Sequence, residues 1–298
     1  MSILIDKNTR LIVQGITGRE GRFHTEQMIQ YGTNVVAGVT PGKGGLKVYG
    51  VPVFNTVKEA VVATGANATV IFVPAKYTKS GIIEAIESEI PNIFTIAEHV
   101  PVHDMMQIYH LAREKNVRVV GPNSFGVISP GKSKAGFMAH RMFTPGPVGL
   151  MSRSATNCYE TVLMLTKAGF GQSTCVGVGG DMIPGSAFCD ILPLFEEDPE
   201  TQVVIMIGEI GGNEEELVAG YLRKNGLKKP IIALIAGKNA PKGRSMGHAG
   251  AIVSSDGTGS AESKEKALRE AGVIIAETTS HIVGIVEKLI NKANKSEV

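Results

Sequence analysis

The sequence predicts a parallel α/β protein of two domains, and three observations carry that expectation. Short β-branched runs alternate with longer stretches of helical period along the whole chain, which is how parallel α/β layers are built. The runs are apolar from end to end, as in Val70-Ile-Phe-Val73, and strands without a polar face suit a sheet covered on both sides. Finally, 298 residues are too many for one ordinary core and fit two domains of roughly 150 residues.

The first half offers strands at Leu11–Gln14, Asn34–Val39, Ala68–Val73, Ile93–Ile96 and Arg118–Val120. Helical patterns lie between them near Glu20–Tyr31, Thr56–Ala63, Thr78–Glu89 and Val102–Lys115, with Pro91 and Pro101 marking element boundaries. A Pro/Gly-rich stretch from Gly121 to Pro147 reads as a connector with functional loops. We therefore expect a first domain over 1–125, a connector over 126–147 and a second domain over 148–298. The second domain restarts the pattern with strands at Val148–Ser152, Ser173–Val178, Val203–Gly208, Pro230–Ile235 and Val273–Ile275. Its helices are expected near Thr156–Ala168, Ser186–Glu197, Glu214–Asn225, Ala261–Ala271 and His281–Lys292.

Composition narrows the function. A net charge of +2 gives no electrostatic case for nucleic acid or an acidic membrane, and scarce aromatics argue against base-stacking surfaces. No run reaches 18 apolar residues, so no membrane span is expected. Cys158, Cys175 and Cys189 lack CxxC spacing and neighbouring histidines, which points to a reducing compartment. The N-terminus resembles neither a signal nor a transit peptide, so the expected location is the cytoplasm; a mature mitochondrial matrix chain would read the same. No histidine pair has metal-ligand spacing.

Gly15-Ile-Thr-Gly18-Arg-Glu-Gly21 follows the first strand and opens a helix, the setting a phosphate-binding turn requires. The spacing is GxxGxxG rather than GxGxxG, and a purely structural turn fits the same letters. Where an NAD site places an acid after the second strand, this chain has Thr40-Pro-Gly-Lys43-Gly-Gly45. A lysine there favours a phosphate, that of coenzyme A or of NADP. The absence of a hydride-transfer motif favours coenzyme A over an NADP-dependent reductase.

In the second half, Val203-Val-Ile-Met-Ile-Gly208-Glu209 is a buried strand that ends in a carboxylate, at the edge where open α/β sheets place ligands. Such a glutamate can orient a histidine through one ring N–H and leave the other nitrogen for nucleophilic chemistry; helix capping is its ordinary alternative. Ser152-Arg-Ser154-Ala-Thr156 opens a helix whose first amides suit a phosphate or carboxylate, or simply an N-cap. Lys242-Gly-Arg-Ser-Met-Gly-His248-Ala-Gly sets a histidine between glycines that admit close approach. A basic surface loop has the same letters, yet His248 is the strongest candidate nucleophile among seven histidines.

Seven motifs now stand in order: Gly15–Gly21, Thr40–Gly45, Gly121-Pro-Asn123, Ser152-Arg-Ser154, Gly179-Gly-Asp181, Gly208–Gly212 and Gly247–Ile252. Together they closely resemble the alpha subunits of succinyl-CoA synthetases over essentially the whole chain. The resemblance implies a Rossmann-like CoA-binding domain followed by a flavodoxin-like ligase domain. It also implies a beta subunit of ATP-grasp fold that binds ADP or GDP with Mg²⁺, in an αβ or α2β2 assembly, and no metal on this chain. The implied reaction joins succinate to CoA at the expense of ATP or GTP, in the citric acid cycle, through a phosphohistidine that moves between nucleotide and CoA sites.

By motif match, His248 is the phosphorylated residue and Glu209 its orienting partner. Thr17, Gly18, Arg19, Glu20 and Lys43 fall at CoA positions, with Ile96, Ala97 and Glu98 at a further CoA-contacting strand end. Asn123, Ser154, Ala155, Thr156 and Tyr159 match substrate positions. The chain departs from the family where the acid should sit. Ser124-Phe125 replaces Cys-Pro, Ala155 replaces Gly, Met182 replaces Pro, and Ala139-His140-Arg141 and His99 break two further motifs. Phe125 adds bulk and Ala155 a methyl there, which points to substrate choice as the property in question. A sibling ligase for malate or citrate is the alternative within the class, and a CoA-binding paralogue without turnover the alternative outside it. Retention of both His248 and Glu209 argues for turnover.

Overall fold

A computed structural model describes residues 2–241, 247–254 and 257–296, with side chains described up to Lys292. The chain forms two compact units. One comprises Leu4–His140 with Gly177–Ser186, the other Arg141–Val176 and Ala187–Val298 with the first residues of the chain. The expected connector is therefore divided near His140, and a ten-residue excursion of the second half belongs with the first unit.

The first unit runs β1 (Leu11–Gln14), α1 (Arg19–Tyr31), β2 (Val35–Val39), β3 (Lys47–Val48), β4 (Val51–Phe54), α2 (Val57–Thr64) and β5 (Ala68–Ile71). It continues with α3 (Ala75–Glu87), β6 (Asn92–Thr95), α4 (Val102–Glu114), β7 (Arg118–Val120), β8 (Gly126–Ser129) and β9 (Ser133–Gly136). Its main sheet has the order β3-β4-β2-β1-β5-β6-β7. Every pairing in it is parallel except the small β3/β4 hairpin. Without β3 this is the order of a dinucleotide-binding sheet, whose direction reverses between β1 and β5. A core from Ile12, Val39, Val57, Ile71, Ile86 and Ile93 fills the space between sheet and helices. Burial on both faces explains why these strands read as continuous apolar runs.

The second unit runs β10 (Pro145–Ser152), α5 (Ala155–Lys167), β11 (Gln172–Gly177), α6 (Phe188–Glu197), β12 (Val203–Glu209) and α7 (Glu214–Asn225). It ends with β13 (Ile231–Ala236), α8 (Ala261–Glu270), β14 (Ile274–Ile275) and α9 (Thr279–Ser296). Its strands lie in the order β14-β13-β12-β10-β11. Renumbered from β10 this is 2-1-3-4-5, the flavodoxin-like order, whose direction reverses between β10 and β12. Register brings Ser152 opposite Ile207 and Glu209 opposite Ala236, so β12 outruns β10 by two residues at its carboxyl end.

The expected elements are all present, with ends moved by up to four residues. The hairpins β3/β4 and β8/β9 are additions that the sequence did not announce. Among the described residues no helix is long and apolar enough to cross a membrane.

Candidate functional site

The second unit places its charged side chains at the reversal between β10 and β12. Chains leave these neighbouring strands toward opposite sides, which opens a crevice over their carboxyl ends. Glu209 ends β12 and Arg153 directly follows β10. One Glu209 oxygen, Oε1, accepts from Arg153 Nε at 2.9 Å, while Oε2 lies 2.6 Å from Nδ1 of His248. Glu209 and Arg153 are buried, whereas the His248 side chain keeps 27% of its surface exposed. The expected pair is thus in contact across 39 residues of sequence.

A carboxylate on Nδ1 draws the proton to that nitrogen and directs acceptor or nucleophilic chemistry to Nε2. It also stabilises positive charge as it develops on the ring. Arg153 supplies the compensation that a buried carboxylate requires. The loop bearing His248 turns tightly, with Ala251 N–H donating to the His248 carbonyl at 3.1 Å. Gly211 N–H donates to the Gly259 carbonyl at 2.7 Å and fastens the loop after β12 to the segment beyond the histidine. Residues 242–246, with the two cations noted upstream, lie outside the described residues.

Helix α5 begins beside Arg153. Ser154 is its N-cap and accepts from Asn157 N–H at 3.3 Å, while Ser152 Oγ accepts from Ser154 N–H at 3.0 Å. The capping alternative is therefore realised for Ser154. The amides of the first turn remain donors at a positive helix end. Ala155 and Thr156 occupy that turn, and Tyr159, one turn on, meets Phe143 edge-to-face at 6.2 Å.

Behind the Glu209 carboxylate lies a second set of charges at the start of α7. Glu215 Oε1 accepts the Glu209 backbone N–H at 3.0 Å, and its other oxygen pairs with Lys264 of α8. Burial raises the Glu214 carboxyl above its ordinary range, against the pull of Arg153. Burial also pushes the Cys189 thiol up to about 12, with the Glu214 and Asp190 charges adding to it. All three cysteines are free.

The first unit presents a site of another kind at its own reversal point. The turn after β1 packs so closely that a Cβ on Gly21 would fall 2.1 Å from the Gly15 carbonyl oxygen. Glycine at 21 is thus required for α1 to start where it does. Gly18 is the N-cap of α1, with Arg19 and Glu20 in its first turn. Thr17 donates its hydroxyl to that of Thr40 at 3.1 Å, which ties the turn to the end of β2. Lys43 follows on the exposed Thr40–Leu46 turn. A cavity of about 320 Å³ opens here, lined by Gln14, Gly15, Val39, Thr40, Val73 and Tyr77, among others.

Farther along the sheet, Ile96 and Ala97 follow β6 half-buried, and exposed Glu98 pairs with His99 at 2.8 Å. Asn123 N–H donates to the Ala97 carbonyl at 2.8 Å, and its side chain bonds to Asp181. Burial raises the Asp181 carboxyl, and that Asn123 bond works in the opposite direction. Phe125 is buried, with its ring over the Gly177 backbone where a Cβ would come within 2.9 Å, so its bulk fills the core. Ser124 bridges two backbone groups, donating to the Gly177 carbonyl at 2.5 Å and accepting from Gly126 N–H at 2.9 Å.

Within the first unit, Thr17, Gly18, Arg19, Glu20 and Lys43 thus share one sheet edge, with Ile96–Glu98 and Asn123 on the neighbouring strand ends. Within the second, His248, Glu209, Ser154, Ala155, Thr156 and Tyr159 share the other reversal point. Three charged residues of that site had no assigned role in the sequence: Arg153, Glu215 and Lys264. Arg153 stands inside a quoted motif. Lys264 has a subtler signal, since it lies with Ala261, Glu265 and Leu268 on the stripe of α8 that is buried.

The CoA binding domain family matches residues 6–99, and the CoA-ligase family matches residues 151–274. The chain is 49% identical over 290 residues to the succinate–CoA ligase [ADP-forming] subunit alpha 2 of Archaeoglobus fulgidus, covering 97% of this chain and 100% of the relative. It is 50% identical over 292 residues to the corresponding alpha subunit of Aquifex aeolicus, covering 97% and 95%. Among solved structures, ATP citrate lyase of Methanosaeta concilii, in complex with (3S)-citryl-CoA, superposes with a TM-score of 0.88 at 23% identity. That match covers 98% of this chain and 52% of the other, so the chain spans about half the length of that solved protein. The dinucleotide forming acetyl-coenzyme A synthetase 1 of Korarchaeum cryptofilum gives 0.71 at 21% identity, over 91% and 58%. These two likenesses concern the fold, whereas half-identity along nearly the full length of the curated relatives fixes the family. The chain belongs to the alpha subunits of the ADP-forming succinate–CoA ligases.

Proposed function

We propose that this chain is the CoA-binding, phosphoryl-carrying half of a succinate–CoA ligase, with His248 as the carrier. The observation that carries the reading is the Glu209 carboxylate, which holds Arg153 on one oxygen and His248 Nδ1 on the other at the reversal point of the sheet. A binding protein without turnover needs no such pair.

In the proposed reaction, His248 Nε2 attacks the terminal phosphorus of a nucleoside triphosphate held by an ATP-grasp beta subunit. The P–O bond to the diphosphate breaks and a phosphoramidate forms. A carboxylate oxygen of the acid then attacks that phosphorus, the P–N bond breaks, and the neutral imidazole is regenerated. The CoA thiol, having lost its proton, attacks the acyl phosphate carbon, and the C–O bond breaks to release phosphate. Mg²⁺ and ADP or GDP belong on the partner. There the ion would offset charge on the transferring group.

On this chain, Glu209 orients the ring and stabilises the imidazolium-like charge that develops during transfer. Arg153 fixes Glu209. The amides of Ala155 and Thr156, behind the Ser154 cap, receive the phosphoryl group, and Tyr159 one turn on contacts the acid; within the first unit, Asn123 is an acid-contacting residue by motif match. CoA lies along Thr17, Gly18, Arg19, Glu20 and Lys43 in the first unit, with Ile96, Ala97 and Glu98 at the adjoining strand end. The glycine-backed turn and its exposed cations suit the phosphates of that ligand. Succinate is the acid and the cytoplasm the expected location; the assembly is αβ or α2β2.

The test is a coupled assay of the complex with its beta subunit against succinate, malate, citrate, itaconate and glutarate. Succinate gives the highest kcat/KM on this reading. Equal or better activity on another of these acids overturns the substrate assignment and leaves the carrier chemistry standing.

A further inference from the structure

The geometry points to the buried Lys264–Glu215 pair as a positioning device that holds the Glu209 backbone, and through it the His248 ring, in register for phosphoryl transfer. The inference rests on the proposed role of His248.

The need arises from the strand ladder. Ile210 N–H turns toward β13 and donates to Ala236 at 3.0 Å. Alternation along the strand then sends the Glu209 N–H to the opposite side, toward β10. The last ladder bond with that strand is Arg153 N–H to the Ile207 carbonyl at 3.1 Å, and the Glu209 amide beyond it takes a side-chain acceptor instead. Glu215 fills the gap from the first turn of α7, with Oε1 accepting the amide at 3.0 Å. Space for the carboxylate exists because residue 208 is glycine, where a Cβ would lie 2.1 Å from Glu215 Oε1.

A carboxylate placed this deep needs its own partner. Lys264 reaches it from α8 with a side chain 0% exposed, and Glu216 lies at 3.3 Å from the same ammonium. The side chain of Glu215 is 1% exposed. The arrangement is specific in a way that a surface ion pair is not. A lysine on the buried stripe of α8, a glutamate in the first turn of α7 and a glycine on β12 meet at one backbone amide. That amide belongs to the residue whose carboxylate orients the histidine. Moving Glu209 by a few tenths of an ångström changes both the 2.6 Å contact to Nδ1 and the 2.9 Å contact to Arg153.

The experiment uses the full complex with its beta subunit. Replacing both members, Glu215→Leu with Lys264→Met, exchanges a buried ion pair for apolar side chains, a change often tolerated by the fold. It removes the acceptor of the Glu209 amide. Glu215→Gln with Lys264→Met restores an acceptor without charge. We expect the Leu/Met protein to phosphorylate His248 about 10- to 100-fold more slowly with KM for CoA unchanged, a cost of the size seen for outer supporting partners. Its His248 Nδ1–H resonance moves upfield, and the Gln/Met protein recovers most of both. A folded Leu/Met protein with wild-type resonance and a phosphorylation rate within twofold overturns the proposal. Should the Leu/Met protein fail to fold, Gly208→Ala displaces the carboxylate with both charges kept and is read by the same two signals. Absence of label on the wild type would sink the phosphohistidine reading instead, while the resonance still decides the positioning claim.

Discussion

The two reversal points use different physics for related tasks. In the first unit the proposed CoA site is mostly backbone: a turn kept thin by Gly21, the first amides of α1, and cationic side chains in solvent, with Arg19 95% exposed. In the second unit the proposed carrier site is built of ionised side chains out of solvent, with Arg153 and Glu209 at 8% and 9% exposure and Lys264 and Glu215 at 0% and 1%. A site that only binds can leave its charges in water and let the ligand order them, because little is gained by fixing them beforehand. A site that stabilises charge appearing during a reaction must have its dipoles fixed in advance, and burial with full pairing achieves that. The contrast predicts that conservative changes cost rate in the second unit and affinity in the first.

The largest expected effect tests the carrier. His248→Asn should abolish phosphoryl label and reduce turnover by about 10⁴-fold or more, as loss of a nucleophile does, with CoA affinity unchanged by calorimetry. Next comes Glu209→Gln, which keeps the shape and removes the charge. We expect roughly a 10³-fold loss in kcat, and a stability loss of about 3–5 kcal/mol in denaturant unfolding, because Arg153 is left buried without its carboxylate. A change confined to KM would break the comparison.

In the first unit, Gly21→Ala forces a methyl against the Gly15 carbonyl. Overpacking costs about 1–3 kcal/mol, and CoA affinity should fall more than tenfold while phosphorylation of His248 by the partner persists. Lys43→Ala acts only through a solvent-screened charge. KM for CoA should rise up to about fivefold at low salt and by less at high salt, with kcat unchanged. The smallest effect sharpens the electrostatics. With its thiol pushed up to about 12, Cys189 should resist alkylation at pH 8. Glu214→Gln removes one of the charges that hold the thiol neutral and should raise the alkylation rate a few-fold.

Much of this was legible because apolar periodicity reports burial directly. Leu11–Gln14, Arg118–Val120 and Glu214–Asn225 were read with both ends as they stand. The hairpin β8/β9 was not, since Val127-Ile128 is a very short apolar run inside a Pro/Gly-rich stretch and Ser133–Gly136 carries small and polar residues that resemble a loop. Both strands are nonetheless buried throughout. Nor does local sequence show that residues 177–186 belong with the other unit, since that membership is a tertiary fact. At the site, Glu209 and His248 were legible as a strand-end acid and a glycine-flanked histidine. Their partners were not, because an arginine or lysine in sequence reads as surface until the fold shows what lies against it. Phe125 shows the converse limit: sequence places its bulk inside a ligand motif, and only the fold shows its ring buried over the Gly177 backbone.

The central claim is that Glu209 occupies Nδ1 and so directs phosphorylation to Nε2. Nitrogen-edited NMR of the phosphorylated complex, prepared with ¹⁵N-labelled histidine, reads the bonded nitrogen directly. Phosphorus coupled to Nε2 of His248, with the Nδ1 proton still hydrogen-bonded, is the expected result. Phosphorus on Nδ1, or on any residue other than His248, would contradict it.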